Sequence, residues 1–458
     1  TRYWRDWSSD VCSSDLKQVN NKLEVIIRNS RKGTKNTRAY WRMLRRLNGN
    51  NGYPLRITHP DGTGKVIDDP KEINIVLGKY WQKLSTSGPP VDDNDSLEGK
   101  VHGLHNLIGK TNGLNDISID FNSVETAIKK LKNGKSYAVD DIPNEFIKYG
   151  GSTLVRSIVE MFKVFTLLES FPREWLKGIV KPLHKAGNKE ILDNYRGITL
   201  TSNVYKLYAS ILENKMMAFF EKANFLGELH GAYRKGRRLE DHYLTLKGLC
   251  SLRKNSKKKT WLAFLDISKA FDTVSRSRMF LSLWNSGVQG KAWRLVQGLY
   301  ENVQNKVIFG KYESEYFDVK NGVKQGCIMS PTLFSVIMKD LVDMLQKKQA
   351  GIPFKNERIP AILYADDIVL MAESEEQLQS MLDVSNSFIS KWGMKFNGEK
   401  SKVMTIGKRI DKNKRWKLGN IDLAECETYK YLGIFFGKSL ADSVHVKQYV
   451  KTKAEDGG

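Results

Sequence analysis

Two aspartates wedged between apolar runs constrain this chain more than any other feature. In PAILYADDIVLMA, the runs flank Ala365-Asp366-Asp367, and this pattern predicts a tight β-hairpin with acids at its tip. A second β-prone run, residues 260–265 of TWLAFLDISKAFD, closes on Asp266. An acid at the end of a buried strand is costly unless it is paired or binds a metal. A third segment reads NGVKQGCIMSPTLFSVIMKDLVDML. Here Ser330 suits a helix N-cap and Pro331 the first helical position. Leu333, Ile337, Leu341 and Leu345 then line one helix face.

Converging aspartates on short strands suit one chemistry well. Phosphoryl transfer from a nucleoside triphosphate needs oxygen ligands that hold two divalent ions about 3.5–4 Å apart. Magnesium prefers carboxylates plus phosphate oxygens, so two or three aspartates suffice. Asp266 beside a hairpin carrying Asp366 would provide them. Neighbouring side chains on a strand point to opposite faces, so Asp366 is taken as the bridging ligand and Asp367 as its support. Read alone, Asp-Asp at a hairpin tip is also ordinary turn chemistry.

The charge balance points the same way. Among 458 residues, 74 Lys and Arg oppose 51 Asp and Glu, a net charge of +23. Such an excess suits a polyanionic partner, most often nucleic acid. Hydrophobic content of 40% excludes a disordered chain. No apolar run approaches the roughly 20 residues of a membrane span, so no membrane partner is expected. Cys12, Cys250, Cys327 and Cys426 form no CxxC pair. Neither a zinc ribbon nor a disulfide framework is indicated, and a reducing intracellular compartment is the default. His102 and His105 have no Cys or carboxylate completing a zinc spacing.

Along the chain, residues 1–16 (TRYWRDWSSDVCSSDL) lack helical or strand periodicity and read as foreign, translated from a vector or adaptor. Residues 17–115 are basic and polar. Within them Trp41, Leu44 and Leu47 share a helix face, and 85–96 reads as a linker. The dense part runs from about 117 to 437. Helices are expected at 123–131, 153–169, 203–221 and 239–252, with strands alternating with helices afterwards, giving an α+β fold.

The ordered segments resemble the motifs of reverse transcriptases, those of non-LTR, LINE-type retrotransposons in particular. LAFLDISKAFD is similar to motif A, KQGCIMSP to motif B, YADD to motif C, KWGMKFNGEKSKVMTIG to motif D and YKYLGIFF to motif E, the primer grip. Upstream, IVKPLHKAGNKEILDNYRGITLTSNVYKLYASILENKM and HGAYRKGRRLEDH resemble the fingers block and the segment after it. The block before the fingers departs from the family at 138–143, AVDDIP, where glycines usually surround the Asp.

The resemblance implies a right-hand polymerase, its palm an antiparallel sheet with helices on one face. After the foreign segment 1–16, it divides the chain into a basic linker at 17–115, fingers and the start of the palm at 116–260, palm at 261–437, and the start of a truncated thumb at 438–458. An upstream endonuclease is expected to be absent. Asp266, Asp366 and Asp367 would be the metal triad for two Mg2+ ions, with Mn2+ able to substitute. Lys400 would protonate pyrophosphate. Phe271 would block a ribose 2′-hydroxyl, although ordinary core packing also explains it. Gln325 and Gly326 would line the nucleotide pocket, and Lys185 and Arg196 would contact the triphosphate, where solvated surface is the other reading. Arg234, Lys235, Arg237 and Arg238 would track template phosphates. Tyr431-Leu432-Gly433 would form the primer grip or a plain turn.

The implied partners are an RNA template, a DNA primer and dNTPs, in a cytoplasmic ribonucleoprotein and the nucleus. The alternatives are a group II intron-like reverse transcriptase with maturase activity, and a non-catalytic RNA-binding relic.

Overall fold

The computed structural model describes residues 56–86, 94–107, 109–136, 138–185, 187–407, 415–441 and 443–444. The foreign segment 1–16, the helix through Trp41 and the end of the chain from 445 lie outside them. So does most of the linker-like stretch after Thr86. The described residues separate into two compact units, the smaller drawn from the segments up to 73, 184–195 and 309–312. In that unit Ile57 pairs with Ile67 across a short hairpin, both side chains buried. The amide of Thr58 donates to the carbonyl of Glu190 at 2.8 Å, and Arg56 meets Glu190 at 2.6 Å.

The larger unit begins with helices whose ends follow from local chemistry. Helix α1 (Phe121–Lys129) starts at Asp120, whose carboxylate accepts from the Ser123 amide at 2.8 Å. A reciprocal bond from the Asp120 amide to the Ser123 hydroxyl completes a capping box. Helix α2 (Gly151–Leu168) buries Val155, Ile158, Val159 and Phe162, and ends where Glu169 turns left-handed. Strands β1 (Lys177–His184) and β2 (Tyr195–Leu200) follow. Helix α3 (Asn203–Lys222) is capped by the Ser202 hydroxyl, and helix α4 (Leu239–Asn255) by the Asp241 carboxylate bonded to the Arg238 amide. These four helices lie within three residues of the expected ends.

Strand β3 (Thr260–Leu265) opens the central sheet. After it come helix α5 (Arg276–Asn285), strand β4 (Gln304–Phe309) and helix α6 (Ser330–Lys347). Strand β5 (Ala361–Tyr364), strand β6 (Asp367–Ala372), helix α7 (Glu375–Lys391) and strand β7 (Lys402–Ile406) complete the sheet region. A final hairpin joins strands β8 (Thr428–Tyr431) and β9 (Ile434–Gly437). The sheet order is β5-β6-β3-β7, with every pair antiparallel. A separate parallel pairing sets 177–180 of β1 against 304–307 of β4.

All six residues of β3 are buried. They divide by alternation: Ala263 and Leu265 face one core with Ile368 and Leu370, while Leu262 and Phe264 face another with Val369 and Met371. Helices α6 and α7 cover the first core through Leu333, Ile337, Leu378 and Leu382. Helix α4 and the β8–β9 hairpin cover the second through Leu246, Leu249, Cys250, Tyr431 and Phe436. This corrects the expectation of helices on one face alone. A strand apolar on both sides needs cover on both, and each large side chain buried there contributes roughly 1.5–3 kcal/mol.

A second correction concerns α6. Met329, not Ser330, is its cap residue, and the Ser330 hydroxyl donates instead to the Lys324 carbonyl at 2.8 Å. Pro331 does stand in the first turn, and Leu333, Ile337, Leu341 and Leu345 are fully buried.

Candidate active site

The acids meet at one end of the central sheet. In the β5–β6 hairpin Tyr364 pairs with Asp367, leaving Ala365 and Asp366 as a two-residue turn. Ala365 takes a φ of +58°, a left-handed conformation that a side chain adopts at some cost. Strand β6 pairs with β3 through Ile368 and Leu265. One further step of that register sets Asp367 opposite Asp266. Cross-strand neighbours share a face, here the face of Phe264 and Val369, beneath the β8–β9 hairpin. Asp367, not Asp366, is therefore the direct neighbour of Asp266, and Asp366 occupies the turn.

The electrostatics follow from this crowding. Burial, then the charges of Asp366 and Asp266, push the Asp367 carboxyl up to about 6. Burial and the charges of Asp367 and Asp266 raise the Tyr429 phenol, whose ring stacks on Phe264 at 4.3 Å. Among the described residues no three His, Cys, Asp or Glu side chains converge closely enough to cage an ion. The donor set nonetheless fits a hard divalent cation: oxygen ligands only, with negative charge concentrated on a half-buried carboxylate.

The segment before β7 is tied directly to Asp266. The amide of Asn397 donates to the Asp266 carbonyl at 2.8 Å, and the Asp266 amide donates to the Ser401 hydroxyl at 3.2 Å. Lys400, between them in sequence, places its ammonium 3.8 Å from Asp266 Oδ2.

Phe271 is half-buried and stacks on Phe334 of α6 at 5.0 Å. Its carbonyl accepts from the Val323 amide at 2.7 Å, so the stretch after Asp266 is knitted to the loop carrying Gln325 and Gly326. The Gln325 carbonyl accepts from the Thr199 amide of β2 at 2.8 Å, while its side-chain oxygen is buried without a partner. Gly326 has a φ of +103°, and a Cβ there would stand 3.0 Å from the Thr199 carbonyl.

Arg196 is exposed on β2. It lies within electrostatic reach of Tyr233, a residue the sequence reading passed over. Burial, then Asp366, raises the Tyr233 phenol, so its ring stands near the acids. Tyr233 is half-exposed with a φ of +62°. An aromatic inside the basic run AYRKGRR was the available signal. Lys185 is exposed in the smaller unit, its amide bonded to the Asn194 carbonyl at 2.9 Å.

The basic run itself divides. Arg234 departs from the expected phosphate contact: its side chain is 3% exposed and holds Glu221 through two bonds of 2.7 and 2.8 Å. It also donates to the carbonyls of Gly227 and His230. Arg237 is paired with Glu228, whereas Lys235 and Arg238 are exposed. At the primer-grip position Tyr431 pairs with Ile434 around Leu432 and Gly433, both with positive φ, as a tight hairpin turn requires. The Tyr431 ring is buried in the core, while Gly433 of the turn is exposed.

Residues 183–436 match the family model for reverse transcriptase (RNA-dependent DNA polymerase). The chain belongs to the reverse transcriptase family. It is 28% identical over 281 residues to the Pol polyprotein of the type-1 retrotransposable element R2 of Popillia japonica, covering 58% of this chain and 38% of that one. The RNA-directed DNA polymerase from mobile element jockey of Drosophila melanogaster is 23% identical over 354 residues, 73% of this chain and 37% of the relative. The probable RNA-directed DNA polymerase from transposon BS, also of Drosophila melanogaster, is 25% identical over 342 residues, with shares of 70% and 36%. This reverse transcriptase domain is thus related to those of non-LTR elements, and it spans somewhat more than a third of the length of these relatives. The matched region contains Asp266, the hairpin acids and the loop around Gln325.

Proposed function

We propose that the chain extends a DNA primer 3′-hydroxyl with dNTPs on an RNA template, as the polymerase segment of a non-LTR retrotransposon protein. The observation that carries this reading is the sheet register that brings Asp266 against the Asp366-Asp367 hairpin inside the matched family region. In this reading residues 116–260 supply fingers and the start of the palm, and 261–437 supply the palm.

Asp266, Asp366 and Asp367 would hold two Mg2+ ions, which supply charge neutralisation and a more acidic primer hydroxyl. The remaining work falls to this chain's own groups. Arg196 and Lys185 offer cationic contacts to the triphosphate. The phenol of Tyr233, within electrostatic reach of Arg196, is a neutral donor. The Phe271 ring, braced on Phe334, walls the sugar position, and Gln325 with Gly326 faces the base. Lys400 is held near Asp266 by the 397–401 turn and is placed to give a proton to the leaving pyrophosphate. Lys235 and Arg238 take the template phosphates.

Primer extension on poly(rA) annealed to oligo(dT), with Mg2+ and dTTP, tests this reading. DNA product that depends on the template supports it. RNA binding without extension would identify a binder instead.

A further inference from the structure

Arg276 is 8% exposed, and its bonded partners are three backbone carbonyls rather than a carboxylate. Nε donates to Gly322 at 2.9 Å, and one terminal nitrogen donates to Tyr300 at 3.1 Å and to Val319. The guanidinium also lies 5.2 Å from the centre of the Tyr300 ring. Burial pushes this arginine down to about 10, so the fold accepts a desolvated cation here.

Its partners locate the reason. Gly322 and Val319 belong to the loop leading into Gln325. That loop is bonded to the stretch after Asp266 through the Gly322 amide to Val274 and the Val323 amide to Phe271, both at 2.7 Å. Gly322 has a φ of +81°, and a Cβ there would stand 2.5 Å from the Asp272 carbonyl, so the two backbones touch. A 40 Å³ cavity beside Arg276 is lined by Asn305 and Gln325. Arg276 Nη2, Asn305 Oδ1 and Gln325 Oε1 are all buried without partners. One donor and two acceptors around a space of that size suit a bridging water.

We propose that Arg276 is a positioning residue for nucleotide selection, clamping loop 319–325 so that Gln325 and Phe271 form one rigid wall against the incoming nucleotide. The proposal rests on the reading of those two residues as pocket walls. Phe271→Val tests that reading separately, by raising ribonucleotide incorporation.

Single-nucleotide incorporation is measured for Arg276→Lys and Arg276→Ala with matched dNTP and rNTP. Arg276→Lys should raise KM for the dNTP about tenfold, the factor set by losing one hydrogen bond to a charged group. Its kcat should stay within about threefold, and rNTP use should rise relative to dNTP. Guanidinium ion added to Arg276→Ala should restore KM, because it can enter the space left beside the cavity. Should Arg276→Ala fail to fold, Arg276→Lys decides. A lowered melting temperature with unchanged KM and unchanged sugar preference would overturn the clamp. If Phe271→Val shifts sugar preference and the Arg276 variants do not, the clamp alone fails. If Phe271→Val changes nothing, the pocket reading fails with it.

Discussion

The acid-bearing end of the central sheet and the basic segment 234–238 each concentrate one sign of charge, yet the fold uses them differently. At the sheet end, the pairing of β3 with β6 and the tight β5–β6 turn bring three carboxylates within electrostatic reach of one another. A slip of one residue would exchange the side chains that β3 sends into its two cores, putting Leu262 and Phe264 where Ala263 and Leu265 pack. In the basic segment no ladder fixes the side chains, and four cations meet different fates: Arg234 buried on Glu221, Arg237 paired with Glu228, Lys235 and Arg238 in solvent. Charge held by a paired strand is committed to a site, whereas charge on a turn is distributed between fold and ligand.

The largest effect should come from the acids. Asp266→Asn and Asp366→Asn should each lower primer extension more than about a hundredfold, ~2.7 kcal/mol in barrier, with template binding retained. Asp367→Asn separates two versions of the site. If its loss matches that of Asp366→Asn, the cross-strand neighbour of Asp266 is a full ligand. A loss of less than about tenfold would leave it a supporting role. Activity above about a tenth of wild type in Asp366→Asn would remove the turn acid from the metal site.

Arg234 is the counterexample inside the basic segment. Arg234→Met should lower unfolding free energy by roughly 2 kcal/mol, through loss of bonds to charged and buried acceptors. Glu221 is 45% exposed, so solvent screens part of the pair. Denaturant titration should show the loss, while the salt dependence of RNA binding stays that of wild type. A stable variant with a shallower salt slope would return Arg234 to the ligand side.

His230 adds a pH dependence to the same region. Its ring is fully buried with both nitrogens unpartnered, and burial first, then His242 and Arg234, push it down to about 3. The unfolded chain takes a proton near pH 6.5 that the native fold refuses. Stability should therefore be full above that pH and fall between about 6.5 and 3, by up to ~1.4 kcal/mol per pH unit. His230→Leu should flatten that slope in denaturant midpoints measured from pH 7 to 5. An unchanged slope would place the acid sensitivity elsewhere.

Much of the sheet end was legible because periodicity and burial act on adjacent residues. The strand 260–265, the hairpin at 361–372 and the stripe of α6 all stand where alternation and spacing put them. The partner of Asp266 was not legible, because cross-strand register depends on which strands pair. Nor was the second helix layer: α4 reads as an ordinary amphipathic helix until β3 proves apolar on both faces. Arg276 and Tyr233 gave no signal through spacing at all. Arg276 acts through carbonyls brought from distant turns, and Tyr233 through a left-handed backbone.

The smallest effect belongs to the exposed cations. Lys235 and Arg238 are exposed beside the glycine turn next to buried Arg234, and neither forms an ion pair among the described residues. A cation left in water contributes little to folding, so Lys235→Gln and Arg238→Gln should unfold as wild type does. Each would still neutralise one phosphate on a bound strand. Binding falls with log salt at about 0.7 per phosphate on single strands and about 0.9 on duplex. Each substitution should therefore make the slope shallower by about that amount, and the double variant by about twice as much. Equilibrium binding of a labelled ribo-oligonucleotide between 50 and 200 mM salt, a range wide enough to resolve such slopes, reads the change directly. Slopes equal to wild type in the double variant would mean that the template path avoids this turn, and that the segment's charged work is the Arg234 anchor and the Arg237–Glu228 pair.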